Sequence, residues 1–220
     1  MRTTILRKTA LTIAATAATA GGIAGPAITA HAAPSTPTST TVAKADRKPS
    51  SERELNVRYE AQPNFYYCGP AAARNALSVQ GKNIDVDAMA KTMGTTEAGT
   101  NSINDITPVL NKETGKNVYT STAISAPTAD DKQTDKLRND IVRTVDDGRA
   151  VVANIAGTAT DTDGTPHSFE GGHYISIVGY RDGGHTVTIA DSADPTQASY
   201  RMNIDTLADW IATRGYSATS

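Results

Sequence analysis

The stretch from Gln62 to Pro70 contains the one cysteine of the chain, Cys68. It stands immediately before Gly69 and Pro70. Gly69 to Gln80 is alanine-rich, carries Pro70 near its start and ends at Gly81, which predicts a helix over 69–80. A thiol at that point faces free backbone N–H groups and the positive end of the helix dipole, and both stabilise a thiolate over a thiol. The plain alternative is a small buried hydrophobe, since an unpaired cysteine packs well in a core. The position before a helix start favours a nucleophile.

A thiolate nucleophile needs a general acid for the leaving group, and histidine is the usual one. The chain has four histidines. His31 falls in the N-terminal segment, His185 adjoins a glycine-rich turn exposed to water, and His167 lies in the polar loop DTDGTPHSFEGG with nothing to hold its ring. His173 follows Gly171 and Gly172 at the mouth of the run HYISIVGY, where the glycines leave room for a substrate backbone. Its parity puts it on the face of Ile175 and Ile177, although an ordinary strand-end histidine would look the same.

HYISIVGY and HTVTIAD are alternating runs separated by RDGG, a hairpin signal. A three-residue turn at 182–184 would set Arg181 opposite His185 and Ile175 opposite Asp191. His173 and Asp191 would then be diagonal neighbours on one face, about 7–8 Å apart at the backbone. A carboxylate on an apolar face needs a partner, and orienting an imidazole supplies one. Asp194 precedes Pro195 and reads as a turn residue. An oxyanion would find a donor in the Cys68 backbone N–H, and the Gln62 side-chain amide could fold over the same spot.

Three segments together resemble the bacteriocin-processing, double-glycine-leader cysteine peptidases of the papain-like superfamily. They are Gln62…Tyr66-Tyr67-Cys68-Gly69-Pro70-Ala71-Ala72, Gly172-His173-Tyr174…Val178-Gly179-Tyr180 and Ile189-Ala190-Asp191. The resemblance runs from about Ala61 to Asp191 with an unmatched middle. It implies an α+β, papain-like cysteine peptidase fold. It also implies Cys68 as nucleophile, His173 as general acid/base, Asp191 as its orienting group and Gln62 as oxyanion donor, with no cofactor. The partner it implies is a peptide or protein substrate. The sequence contains no G-x-x-x-x-G-K-[ST] loop, so the ATP-binding part of the transporter-fused members has no counterpart in it.

The elements that must position these residues are partly legible. Asp85 can cap a helix through Val86, Met89, Ala90 and Met93, and Ser102 one through Ile103, Ile106 and Leu110, which Pro108 weakens. Leu137, Ile141 and Val145 line a fourth helix. Ile204, Leu207, Ala208 and Ile211 line a last one, with Asn203 as its cap. VVANI at 151–155 joins the two runs above as strand. N-terminal helices packed on a mainly antiparallel sheet follow.

Arg2, Arg7 and Lys8, the apolar run from Ala10 to Ile28 and Ala30-His31-Ala32 predict a secretory signal peptide over 1–32. Neither a lipid-anchor cysteine nor a C-terminal anchor is expected, which points to a secreted, extracellular protein. PSTPTSTT and the polar stretch after it predict a flexible spacer or pro-segment over 33–54, leaving 55–220 as the peptidase domain. Residues 1–32 hold three of the 21 Lys and Arg and none of the 23 Asp and Glu, so the remainder carries a formal charge of −5. That balance argues against nucleic acid or an anionic membrane as partner, and nothing in the sequence speaks to the oligomeric state.

No H-E-x-x-H or G-x-S-x-G occurs, which disfavours a metallohydrolase and a serine hydrolase. Two readings stand beside a secreted cysteine peptidase: an amidase or endopeptidase on cell-wall peptides, and a non-catalytic peptide-binding module.

Overall fold

The computed structural model describes residues 51–220. The expected signal peptide at 1–32 and most of the spacer at 33–54 lie outside them. The spacer's last residues belong to the fold. Arg53–Glu54 form a short strand, β1, and Ser51 accepts a hydrogen bond from the Gly183 N–H at 2.8 Å. The folded boundary therefore lies ahead of Leu55.

Three helices come next: α1 (Cys68–Ser78), α2 (Val86–Met93) and α3 (Ile103–Thr114). Asp85 caps α2 by accepting from the Ala88 N–H, and Ser102 and Asp105 close a capping box on α3, as their types predict. Pro108 does not end α3. It sits on the exposed side, where water can reach the freed carbonyl, while Ile103, Ile106, Val109 and Leu110 bury the other side.

The remaining elements are β2 (Tyr119–Ala123), α4 (Asp131–Asp146), β3 (Val151–Thr160), β4 (Pro166–Arg181), β5 (Thr186–Ala190), β6 (Ser199–Asn203), α5 (Ile204–Ile211) and β7 (Gly215–Thr219). The strands form one antiparallel sheet in the order β2-β7-β3-β4-β5-β6, and β1 pairs with the end of β4. Asn203 stands at the N-terminus of α5 without capping it through its side chain; the Ile204 N–H donates instead to the His185 carbonyl.

Both faces of the sheet are covered. Ala72, Ala76 and Leu77 of α1, Met89 of α2 and Ile106 of α3 pack on Val152, Tyr174 and Val178. On the other face, Leu137, Ile141 and Val145 of α4 and Leu207 of α5 pack on Val151, Ala153, Ile175 and Ile177. A strand buried on both sides has no polar face, which is why VVANI is apolar nearly throughout, and the alternation in HYISIVGY sends Ile175 and Ile177 to one covered face and Tyr174 and Val178 to the other. Helices from before and after the first long strands thus sandwich the sheet, whereas the sequence placed only the N-terminal ones against it.

Candidate active site

Cys68 is the first residue of α1 and is buried. The residue before it, Tyr67, offers no side-chain cap, so the first N–H groups of the helix are not taken up by a side chain. Two contacts fix the helix against its surroundings. Ser176 of β4 donates to the Ala72 carbonyl at 2.7 Å, and Gly69 lies so close to Thr100 that a Cβ there would stand 2.5 Å from its hydroxyl oxygen.

His173 is buried on β4, opposite Ile155 of β3. Its Nε2 lies 2.7 Å from Asp191 Oδ1, which leaves Nδ1 for Cys68. Phe169 stacks on the imidazole with centroids 4.0 Å apart and planes 16° off parallel. Burial opposes charge on the ring, but the hydrogen bonds and negative charges of Asp191 and Cys68 outweigh it and raise the His173 pKa to about 9.

Asp191 directly follows β5. Its Oδ1 also accepts from the Ala193 N–H at 3.0 Å, and its Oδ2 from the Tyr200 hydroxyl of β6 at 2.8 Å. Burial alone would push its pKa up; the bond and charge of His173, with the other two donors, hold it below the ordinary carboxylate value. Asp194 turns away and accepts from the Thr196 N–H and hydroxyl, the turn role read from sequence.

The register that joins His173 to Asp191 differs from the expected one near the turn. Arg181 pairs with Thr186 rather than His185, so the connection is four residues long. A bulge at Val178 then restores the count, and Ile177 faces Ile189 and Ser176 faces Ala190. That places Ile175 level with Asp191, as predicted.

Gln62 is held beside this group by its backbone. Its N–H donates to the Ser192 carbonyl at 2.9 Å, and Asn75 and Arg74 of α1 clamp Glu60 and Ala61 just ahead of it. The side chain is partly committed: Nε2 donates to the Asn64 carbonyl at 2.9 Å, and Oε1 accepts from the Ser192 hydroxyl. An amide nitrogen has two hydrogens, so one remains for an incoming oxygen.

His167, expected in a polar loop with nothing to hold its ring, is buried in β4. Its Nε2 lies 3.0 Å from Asp161 Oδ2, and its ring stacks on Tyr200 at 3.7 Å. His185 is exposed, as predicted, beside Arg138. Sequence reasoning missed Tyr200 and Phe169. Neither has a local motif: Tyr200 comes from the neighbouring strand β6, and Phe169 lies four residues before His173 on β4, where a register shift against β3 brings the two rings together. Among the described residues no three His, Cys, Asp or Glu side chains group as metal ligands, and no helix is long and apolar enough to cross a membrane.

Such an arrangement can supply a thiol nucleophile, a proton carrier oriented by a carboxylate, and N–H donors for a developing oxyanion. A cleft of about 180 Å³ opens at Cys68, with Thr100, Asn101, Asn154, Tyr174 and Arg214 among its walls.

Residues 54–218 match the family described as Peptidase_C39 like family. A putative C39-like peptidase from Bacillus anthracis has a similar structure at 12% identity and a TM-score of 0.53, over 78% of this chain and 98% of that one. The peptidase domain of Streptococcus ComA, a bi-functional ABC transporter involved in a quorum sensing pathway, is 17% identical with a TM-score of 0.48, over 73% and 97%. A double glycine motif protease from an AMS/PCAT transporter, solved with the leader peptide, is 12% identical with a TM-score of 0.44, over 76% and 94%. No curated protein matches the chain. The fold is papain-like.

Proposed function

Because the chain belongs to the C39-like peptidase family, a family of cysteine peptidases, we propose that it is a secreted enzyme hydrolysing peptide bonds through a Cys68 acyl-enzyme. The observation that carries this reading is the buried His173–Asp191 pair set against a cysteine at a helix start.

With the His173 pKa at about 9, the ring is protonated at neutral pH, the state that a thiolate beside it requires. The Cys68 Sγ attacks the scissile carbonyl carbon, and the carbonyl π pair moves onto oxygen. The Cys68 N–H and the remaining Gln62 amide hydrogen receive that oxyanion. Its collapse breaks the C–N bond as His173 Nδ1 protonates the departing amine, leaving a thioester and a neutral imidazole. A water molecule then gives its proton to the ring as it attacks the thioester, and collapse expels the thiolate beside the restored imidazolium. Asp191 holds the ring through Nε2 throughout and stabilises its charged form.

Cys68→Ala should abolish turnover of a peptide library while leaving the fold intact by circular dichroism, and chelators should have no effect. Activity that survives complete alkylation of Cys68 by iodoacetamide would overturn the mechanism. Profiling purified cell wall beside the library separates general peptide hydrolysis from cell-wall amidase action. Export rests on the signal-peptide features of residues 1–32, and the intact mass of the secreted protein should correspond to a start at or near Ala33. A retained Met1 would refute that.

A further inference from the structure

The cleft beside Cys68 is polar and carries a positive charge. Its walls include no carboxylate and no aliphatic side chain larger than alanine. The charge is Arg214, in the short connection between α5 and β7. Its backbone is fixed at both groups: the N–H donates to the Ile211 carbonyl, and the carbonyl accepts from the Ile124 N–H. Its guanidinium lies along Gly172, one residue before His173. A Cβ on Gly172 would stand 3.4 Å from an Arg214 terminal nitrogen, and the φ of +94° there also favours glycine.

The nearby groups leave that guanidinium free. Among the described residues it makes no hydrogen bond or ion pair. Asp105, the carboxylate whose charge reaches Tyr174, is spent on the Ser102 N–H in the α3 capping box. The Tyr174 hydroxyl donates to the Thr100 carbonyl and accepts from Asn154 Nδ2, so it has no proton left to offer a ligand. Asn101 and the second Asn154 amide hydrogen add neutral donor capacity to the same walls. A planar, permanently charged fork with unused N–H groups matches a carboxylate, and an apolar or cationic side chain gains nothing in such surroundings.

We propose that this cleft selects a substrate carboxylate beside the scissile bond, with Arg214 as the specificity-determining residue. The proposal rests on the reading of Cys68 as nucleophile, which locates the scissile bond at the cleft's mouth. The carboxylate belongs either to an Asp or Glu side chain or to the free end of a peptide, and these sources are separable by experiment.

The test uses the secreted protein and a peptide library with paired Glu/Gln and Asp/Asn at each position, prepared with free and with amidated C-termini. The wild type should show kcat/KM roughly tenfold or more higher for the acid than for the amide at one position, and Arg214→Ala should bring that ratio close to one. Arg214→Glu should invert the preference towards Lys. The C-terminus counts as one of these positions: a preference for the free over the amidated end makes the carboxylate the chain end, and a Glu over Gln or Asp over Asn preference that persists in amidated peptides makes it a side chain. A ratio near one in the wild type, or an acid preference that Arg214→Ala leaves intact, would overturn the proposal. The same library captured on immobilised Cys68→Ala should enrich the same carboxylate. Enrichment without hydrolysis by the wild type would refute the nucleophile and leave the cleft's preference standing, whereas no enrichment would refute the cleft.

Discussion

His173 commits its two ring nitrogens to different neighbours, and the consequence is a pH dependence with a definite sign. Its pKa is raised to about 9, so the imidazolium is present below that pH and disappears above it. The alkaline limb of kcat/KM should therefore lie near pH 9. Asp191→Asn removes the charge that most favours the protonated ring, while burial continues to oppose it. The limb should move to lower pH and kcat should fall strongly. Asp194→Asn should change little, because that carboxylate serves Thr196. A limb that stays in place in Asp191→Asn and shifts in Asp194→Asn would reverse the assignment. Gln62→Ala tests the other side of the site: an oxyanion donor acts in the transition state, so kcat should drop about 10²–10³-fold with KM little changed. A pure KM effect would make Gln62 a substrate-binding residue. Cys68, His173, Asp191 and Asp194 could be picked out because each has a local signature, namely a helix start, strand parity or turn chemistry, and Gln62 by its company. Tyr200 could not, because only the pairing of β5 with β6 brings it to Asp191, and Phe169 could not, because it reaches His173 of its own strand through the irregularity opposite Ile155 and Gly157.

At the scale of elements, the position of α1 decides whether Cys68 reaches His173, and Gly69 sets that position. Adding a methyl group there would meet the Thr100 hydroxyl at 2.5 Å and the Ile106 side chain at 3.3 Å. Thr100 is itself buried and its hydroxyl is held by a 2.7 Å bond to that of Thr95, so the strain is not relieved by a free side chain. Gly69→Ala should cost about 1–3 kcal/mol, read as a lower Tm, and should lower kcat by moving the cysteine. An unchanged Tm would mean that the loop yields. The hairpin shows how an element can be read correctly through two departures. The turn is one residue longer than expected, and the bulge at Val178 takes up that residue, so the far end of the pair keeps its register. Helix α1 was readable from its alanine content between Pro70 and Gly81, and α2 and α3 from caps and apolar spacing. Strands β2 and β7 were not, because TSTA and YSAT are short Ser/Thr-rich runs: β2 is an edge strand with only Tyr119 buried, and β7 is buried by its pairing with β2 and β3 and its packing against α3 and α4.

At the scale of the whole chain, the start of the folded unit is set by contacts rather than by composition. Residues 51–54 look like the end of a polar spacer, yet Arg53 and Glu54 pair with Tyr180 and Gly179, and Arg53 donates to the Asp146 carbonyl at 2.8 Å. The Leu55 N–H donates to the Val178 carbonyl at 2.9 Å. Leu55 packs against one face of the sheet and Val57 against the other, so this segment seals the edge where β3 ends and β4 continues. A chain beginning at Ser51 should melt at the same temperature as one beginning at Ala33, since it retains all of these contacts. A chain beginning at Arg58 loses two half-buried aliphatic side chains and the strand pairing, on the order of 3 kcal/mol. For a domain of this size that lowers Tm by about 5–10 °C. The loss should also reach the active site, because the Arg58 N–H is held by Ser78 and the segment continues through Glu60 and Ala61 to Gln62. Differential scanning calorimetry and peptide turnover on the three chains check both effects. Equal melting of all three would show that β1 is only an ornament of the sheet, and a drop in the chain beginning at Ser51 would mean that residues 33–50 contribute to the stability of the fold.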